Sequence, residues 1–250
     1  MEDFKAVVFD LYGTLAYIHT DETKSALWRR TAAYYASCGA AYSPRELRQC
    51  WDALCADADR RAEAADPGED RCREIDLSGV FRALFKLRGV SPEKEMVHEA
   101  AWLFRQESTS HLRAYAGAGE LLSDLRRAGR QVILFSNAQS CFTLPELELL
   151  GLRDAFDAIY ISSDHGVKKP DPRFFREMLS EQGLDGSDCL MVGNDPVCDI
   201  AGAKAVGMRT FYIRSSLSPA DAPPPAEVGA DRYLDSMDLK ALRRRLLGKE

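Results

Sequence analysis

Six short runs carry the strand-forming residues of the chain: Ala6–Phe9, residues 131–135, Ala158–Ile161, residues 189–192, residues 210–213 and, more weakly, Arg232–Leu234. The first five are mostly apolar, with β-branched and aromatic side chains, and each is bounded by turn-forming or polar residues. That is the pattern of strands buried on both faces. From the second run onward, helix-like segments alternate with them. Residues 119–128 carry Leu121, Leu122 and Leu125 on one face, and residues 145–150 open on Pro145 and stop at Gly151. Asp171-Pro172 supplies an N-cap and a first-turn proline for residues 173–182, which Gly183 ends, and the Ala-rich residues 200–206 stop at Gly207. Strands separated by helices of this length predict right-handed βαβ units and a mostly parallel sheet, an α/β fold.

The stretch from Tyr17 to Leu112 breaks the rhythm, because it has helical pattern and no convincing strand. Ser43-Pro44-Arg45-Glu46 has capping-box spacing with proline at the first helical position. Ser91-Pro92 opens a second helix that runs through Met96, Val97, Ala100, Ala101, Leu103 and Phe104, and Asp66-Pro67-Gly68-Glu69-Asp70 reads as a turn between helices. The expected division is an α/β core of residues 1–16 and 113–250 with a helical subdomain of residues 17–112 inserted after the first strand. A Pro-rich surface loop, residues 218–225, precedes the last strand and a terminal helix.

The chain has 250 residues, 46% of them apolar, enough for one large domain or a core with a smaller insertion. A net charge of −6 gives no general attraction to nucleic acid or anionic membrane. Met1-Glu2-Asp3 is acidic where a signal peptide would be basic, and no apolar stretch reaches membrane-spanning length, so a soluble, cytoplasmic protein is expected. Seven cysteines without a C-x-x-C pair argue against a disulfide framework, and Cys189 lies in an apolar run as a small buried side chain would. The scattered His19, His98, His111 and His165 have no zinc-ligand spacing.

Open parallel sheets bind ligands beyond the carboxyl ends of their strands, so the residues just past each run test for chemistry. Asp10 follows the first strand, and Gly13 lets the chain turn so that the N–H groups of Leu11 and Tyr12 face an anion. Ser136-Asn137 follows the second strand, offering a hydroxyl and an amide for phosphate oxygens. Gly193-Asn194-Asp195 follows the fourth, with Asp199 one helical turn on, and Lys169 lies in Lys168-Lys169-Pro170-Asp171-Pro172 just before a helix start. Singly, each piece has a bland reading: a turn Asp, turn chemistry, a solvated lysine, a helix cap. Together they make a phosphoryl-transfer inventory, in which lysine and metal neutralise the substrate so that a carboxylate nucleophile can approach. Asp10 and Asp195 offer hard oxygen ligands, few enough to suit Mg2+.

These residues resemble the four motifs of the haloacid dehalogenase-like hydrolase superfamily over nearly the whole chain. Motif one matches Val8-Phe9-Asp10-Leu11-Tyr12-Gly13-Thr14-Leu15, and motif two matches Leu134-Phe135-Ser136-Asn137-Ala138. Motif three matches Lys169-Pro170-Asp171-Pro172-Arg173-Phe174-Phe175, and motif four Met191-Val192-Gly193-Asn194-Asp195 with Asp199. The resemblance implies a Rossmann-like parallel sheet core with an inserted helical, C1-type cap. It implies Asp10 as nucleophile and, with the Tyr12 carbonyl, as a Mg2+ ligand. Ser136 then holds the phosphoryl group, Lys169 steadies nucleophile and phosphate, Asp195 binds the metal directly and Asp199 supports it.

One position departs from the phosphatases of that superfamily. They carry an Asp two residues after the nucleophile as general acid and base, whereas this chain has Tyr12, as the 2-haloacid dehalogenases do. A phenol is a poor proton donor at neutral pH. Motif one therefore points to a metal-independent dehalogenase and motif four to a Mg2+ phosphohydrolase. Motif four carries more weight, because two carboxylates facing Asp10 would repel unless a cation sat between them. A binding protein of the same fold without turnover is the third possibility. Substrate choice falls to the cap, which has no readable motif. His19 is a candidate for the missing proton donor, Arg29-Arg30 read as a solvated face, and Trp28 with Tyr34-Tyr35 as cap core. A small-molecule substrate is expected, while the oligomeric state is unreadable.

Overall fold

The computed structural model describes residues 4–68 and 72–248. Met1-Glu2-Asp3 and the Glu69-Asp70 end of the expected turn lie outside the described residues. The strands in chain order are β1 Ala6–Phe9, β2 Ala16–Thr20, β3 Thr109–Ala114, β4 Gln131–Ser136, β5 Ala158–Ile161, β6 Cys189–Gly193, β7 Arg209–Ile213 and β8 Arg232–Leu234. The helices are α1 Ser25–Ser37, α2 Pro44–Ala65, α3 Leu77–Lys86, α4 Lys94–Ser108, α5 Ala118–Arg127, α6 Ser140–Leu149, α7 Ser162–His165, α8 Pro172–Gln182, α9 Gly202–Lys204 and α10 Leu239–Leu247.

Six strands form one parallel sheet in the order β5-β4-β1-β6-β7-β8. All four residues of β1 are fully buried, and they alternate between two apolar layers. Val7 and Phe9 pack with Leu121, Leu122 and Leu125 of α5, while Ala6 and Val8 pack with Phe174, Phe175 and Met178 of α8. Burying aliphatic and aromatic side chains is worth about 1.5–3 kcal/mol each, so a central strand covered on both faces is a firm base for the residue after it. No helix among the described residues is long and apolar enough to cross a membrane.

Two elements differ from the sequence expectation. β2 and β3 form an antiparallel ribbon, Ala16 opposite Ala114 and His19 opposite His111, where no strand was expected between Tyr17 and Leu112. This ribbon carries the chain out to the helices α1–α4 and back. Its side chains are largely half-buried or exposed, so it lacks the apolar run that marks the core strands. α6 starts at Ser140, with Pro145 inside it rather than at its first turn.

The capping box at Ser43 is formed, its hydroxyl accepting from the Glu46 amide at 3.2 Å. α1–α4 have a core of their own, in which Trp28, Trp51, Phe81 and Phe104 pack edge to face and stacked. Tyr35 is fully buried there too. Phe142 of α6 joins this cluster, so α6 belongs to both bodies. A second junction lies beside motif three, where the Lys168 amide donates to the Cys72 carbonyl (2.8 Å) and the Glu74 amide to the Gly166 carbonyl (3.1 Å).

Candidate active site

The turn after β1 is closed by its own backbone. The Leu11 carbonyl accepts from the amides of Thr14, Leu15 and Ala16, and the Gly13 amide donates to the Ala16 carbonyl at 2.7 Å. Gly13 has φ +91°, and a Cβ there would fall 2.5 Å from the Asn194 side chain, so only glycine fits. Among the described residues, the amides of Leu11 and Tyr12 and the carbonyl of Tyr12 have no hydrogen-bond partner.

Lys169 is the centre of the site. Its ammonium is 2% exposed and spends all three protons, on Asp10 Oδ1 (3.0 Å), Asp199 Oδ1 (2.7 Å) and the Phe135 carbonyl (2.9 Å). Burial works against its charge, but the Asp10 and Asp199 carboxylates outweigh that and hold the ammonium above its ordinary range. Burial pushes the Asp199 carboxyl above its ordinary range, to about 6, with Lys169 pulling the other way and Asp10 adding to the rise. Asn137 fixes the backbone of this lysine: its Oδ1 accepts from the Lys169 amide (2.8 Å) and its Nδ2 donates to the Lys169 carbonyl (3.0 Å). The Asn137 side chain, expected on phosphate oxygens, thus braces the Lys169 backbone with its Oδ1 and one of its two Nδ2 protons.

Ser136 ends β4, one strand over from Asp10, and is 1% exposed. Its Oγ is buried with no hydrogen-bond partner. Native proteins rarely leave such a group unpaired without a ligand or functional reason.

The acidic residues of motif four divide. The second oxygen of Asp199 accepts from the amides of Asn194 (3.0 Å) and Asp195 (2.9 Å), so both its oxygens are taken. A Cβ on Gly193 would lie 2.2 Å from that oxygen, which explains glycine there. Asp195 Oδ1 caps the π-helical turn Pro196–Ala201 through the amides of Val197 and Cys198, leaving its second oxygen unassigned. Among the described residues no three His, Cys, Asp or Glu side chains gather as a metal site. Lys169 is a cation between Asp10 and Asp199, so for that pair the repulsion expected from the sequence is offset within the chain; this does not bear on Asp195.

Sequence reasoning missed Thr14 and Asn194 as site residues. The Thr14 hydroxyl lies 3.2 Å from both Asp10 Oδ2 and Asn194 Oδ1, and both side chains are buried. Their place inside motifs one and four was the available signal. Tyr12 was singled out, but its partners were not. Its hydroxyl donates to Glu146 and lies 3.1 Å from the Thr143 hydroxyl, both on α6. Burial, then the Glu146 charge, push its phenol far above the usual range, so it stays neutral. His19 is exposed on the ribbon, 2.8 Å from Ser110 Oγ. Arg29 and Arg30 are exposed, the latter paired with Glu107.

A family model described as haloacid dehalogenase-like hydrolase matches residues 4–207. The chain belongs to that family. It is 33% identical over 152 residues to a phosphoserine phosphatase of Thermus thermophilus, covering 60% of each chain. It therefore spans less than two thirds of that relative's length. Among solved structures, a HAD phosphatase from Thermococcus onnurineus superposes with a TM-score of 0.58 at 23% identity, covering 99% of both chains. A 2-haloacid dehalogenase from Pseudomonas syringae superposes with a TM-score of 0.62 at 20% identity, covering 98% of this chain and 99% of that one. At such identities these two likenesses bear on the fold alone.

Proposed function

We propose that this hydrolase is a Mg2+-dependent phosphatase of small phosphorylated metabolites that works through an aspartyl phosphate on Asp10. The observation that carries the reading is the unpartnered, buried Ser136 hydroxyl beside the Asp10–Lys169 pair. A phosphoryl oxygen would satisfy that hydroxyl, and the unclaimed amides of Leu11 and Tyr12 would receive others. Similarity to a phosphoserine phosphatase supports the same chemistry.

In the first step an Asp10 carboxylate oxygen bonds to phosphorus as the bond from phosphorus to the leaving oxygen breaks. Lys169, kept charged between two carboxylates, offsets the negative charge that gathers there. Water then attacks phosphorus and returns the Asp10 carboxylate with release of phosphate. The Tyr12 phenol is turned to Glu146 and does not protonate the leaving oxygen, so departure depends on the leaving group's own acidity.

The oxygen donors present fit Mg2+, which takes few protein ligands and keeps several waters. Asp10, the Tyr12 carbonyl and Asp195 would hold it, with Asp199 bracing the Asn194-Asp195 backbone. Bound there, the metal would neutralise phosphate charge and fix its orientation.

Tyr12 alone favours the second reading, a 2-haloacid dehalogenase, in which a halide leaves without a proton. Incubation with 4-nitrophenyl phosphate, with and without EDTA, and separately with 2-chloropropionate decides between them. Phosphate release that EDTA stops supports the phosphatase, and chloride release indifferent to EDTA supports the dehalogenase.

A further inference from the structure

The Tyr12 side chain ends a buried chain of contacts that begins in the helical insertion. Glu146, 1% exposed on α6, accepts the Tyr12 hydroxyl proton and also faces Arg105 of α4, whose Nε lies 2.6 Å from Oε1 and Nη2 3.4 Å from Oε2. The Arg105 guanidinium lies 5.9 Å from the centre of the Tyr12 ring and 5.1 Å from that of Phe142. Thr143 and Glu146, three apart on α6, present one helix face to the Tyr12 hydroxyl.

An ion pair this deeply buried repays its desolvation poorly compared with apolar side chains of similar volume, and fixing register is its best-attested use. The register in question is that of residues 11–13. Tyr12 is held on one side by its flanking residues, whose Leu11 carbonyl and Gly13 amide bond to Ala16, and on the other by Glu146. Between those anchors lie the unclaimed amides of Leu11 and Tyr12 and the Tyr12 carbonyl.

We propose that Arg105 and Glu146 are positioning residues for the loop after β1, and that they set its geometry only while α4 lies against α6. The contact of the insertion with α6 then aligns the amides that receive the transferring group. The activity side of this inference rests on the phosphatase reading; the positioning side does not.

The test compares wild type with the double variant Arg105→Met/Glu146→Leu, which replaces both charges together and so avoids a lone buried ion. The expected result is an unfolding midpoint at or above that of wild type, with kcat for 4-nitrophenyl phosphate reduced about tenfold or more and KM changed much less. Hydrogen exchange should quicken at the bonded amides of Gly13, Thr14, Leu15 and Ala16 that close this loop, and stay unchanged in Ala6–Phe9. Arg105→Lys, which keeps the charge, should recover most of the loss and guards against a double variant that fails to fold. Wild-type kcat together with wild-type exchange at the amides of residues 13–16 would overturn the proposal. If wild type itself releases no phosphate, the phosphatase reading fails, and unchanged or quickened exchange still decides the positioning role.

Discussion

Lys169 Nζ lies 3.0 Å from Asp10 Oδ1, joining the residue after the first strand to one 159 positions later. Asp199 and the Phe135 carbonyl take the two remaining protons. The ammonium is thus fully satisfied by the chain itself, and in the proposed reaction it would offset the charge of an anionic nucleophile meeting an anionic substrate.

Removing that ammonium should damage stability and turnover together. Lys169→Met leaves Asp10 and Asp199 buried without their cation. A loss of about 3–5 kcal/mol in urea unfolding is expected, with turnover reduced about 10²–10³-fold or more. A folded variant of wild-type stability would mean the pair is better solvated than its burial implies.

Ser136→Ala should separate the two effects. The wild-type hydroxyl has no partner, so its removal should leave unfolding free energy unchanged or raise it by about 1 kcal/mol. Turnover of an aryl phosphate should fall about 10²-fold, since a donor aimed at the transferring group is lost. Destabilisation of the variant would point to an internal hydrogen bond instead.

The two acidic residues of motif four should behave differently. Asp195→Ala should raise the Mg2+ concentration needed for half-maximal activity and, by losing a helix cap, cost about 1 kcal/mol. Asp199→Ala should cost about 3–5 kcal/mol, because it strips a buried partner from Lys169. Chemical unfolding and Mg2+ titration of both variants check this, and equal effects on Mg2+ dependence would assign Asp199 to the metal as well.

With the Tyr12 hydroxyl committed to Glu146, rates should rise steeply with leaving-group acidity, aryl and acyl phosphates outpacing alkyl monoesters. Tyr12→Asp should raise the alkyl-to-aryl rate ratio. A flat dependence on leaving-group pKa, with chemistry shown to limit the rate, would reveal another acid.

Much of this was legible because buried parallel strands leave a dense apolar signature that Asp10 and Ser136 follow, and because Lys169 lies just before the capped start of α8. The β2–β3 ribbon was not, since half-exposed alternation such as Tyr17-Ile18-His19 resembles any amphipathic segment. Pro145 misled because proline usually opens a helix, whereas here it sits inside α6. The charge balance around Asp10 was only half legible for a related reason: spacing gathered the acidic residues, but only the fold brought Lys169 between two of them. Thr143 and Glu146 lie 131 and 134 positions from Tyr12, and no local pattern links them.

The covalent role of Asp10 is tested most directly by trapping. Wild-type protein mixed with excess aryl phosphate and Mg2+, quenched rapidly in acid and reduced with borohydride, should yield homoserine at position 10 in the peptide map, because an acyl phosphate is reduced where a free carboxylate is not. Asp10→Asn should give neither homoserine nor turnover. Phosphate release by wild type with an unmodified Asp10, or a label on another carboxylate, would contradict the account.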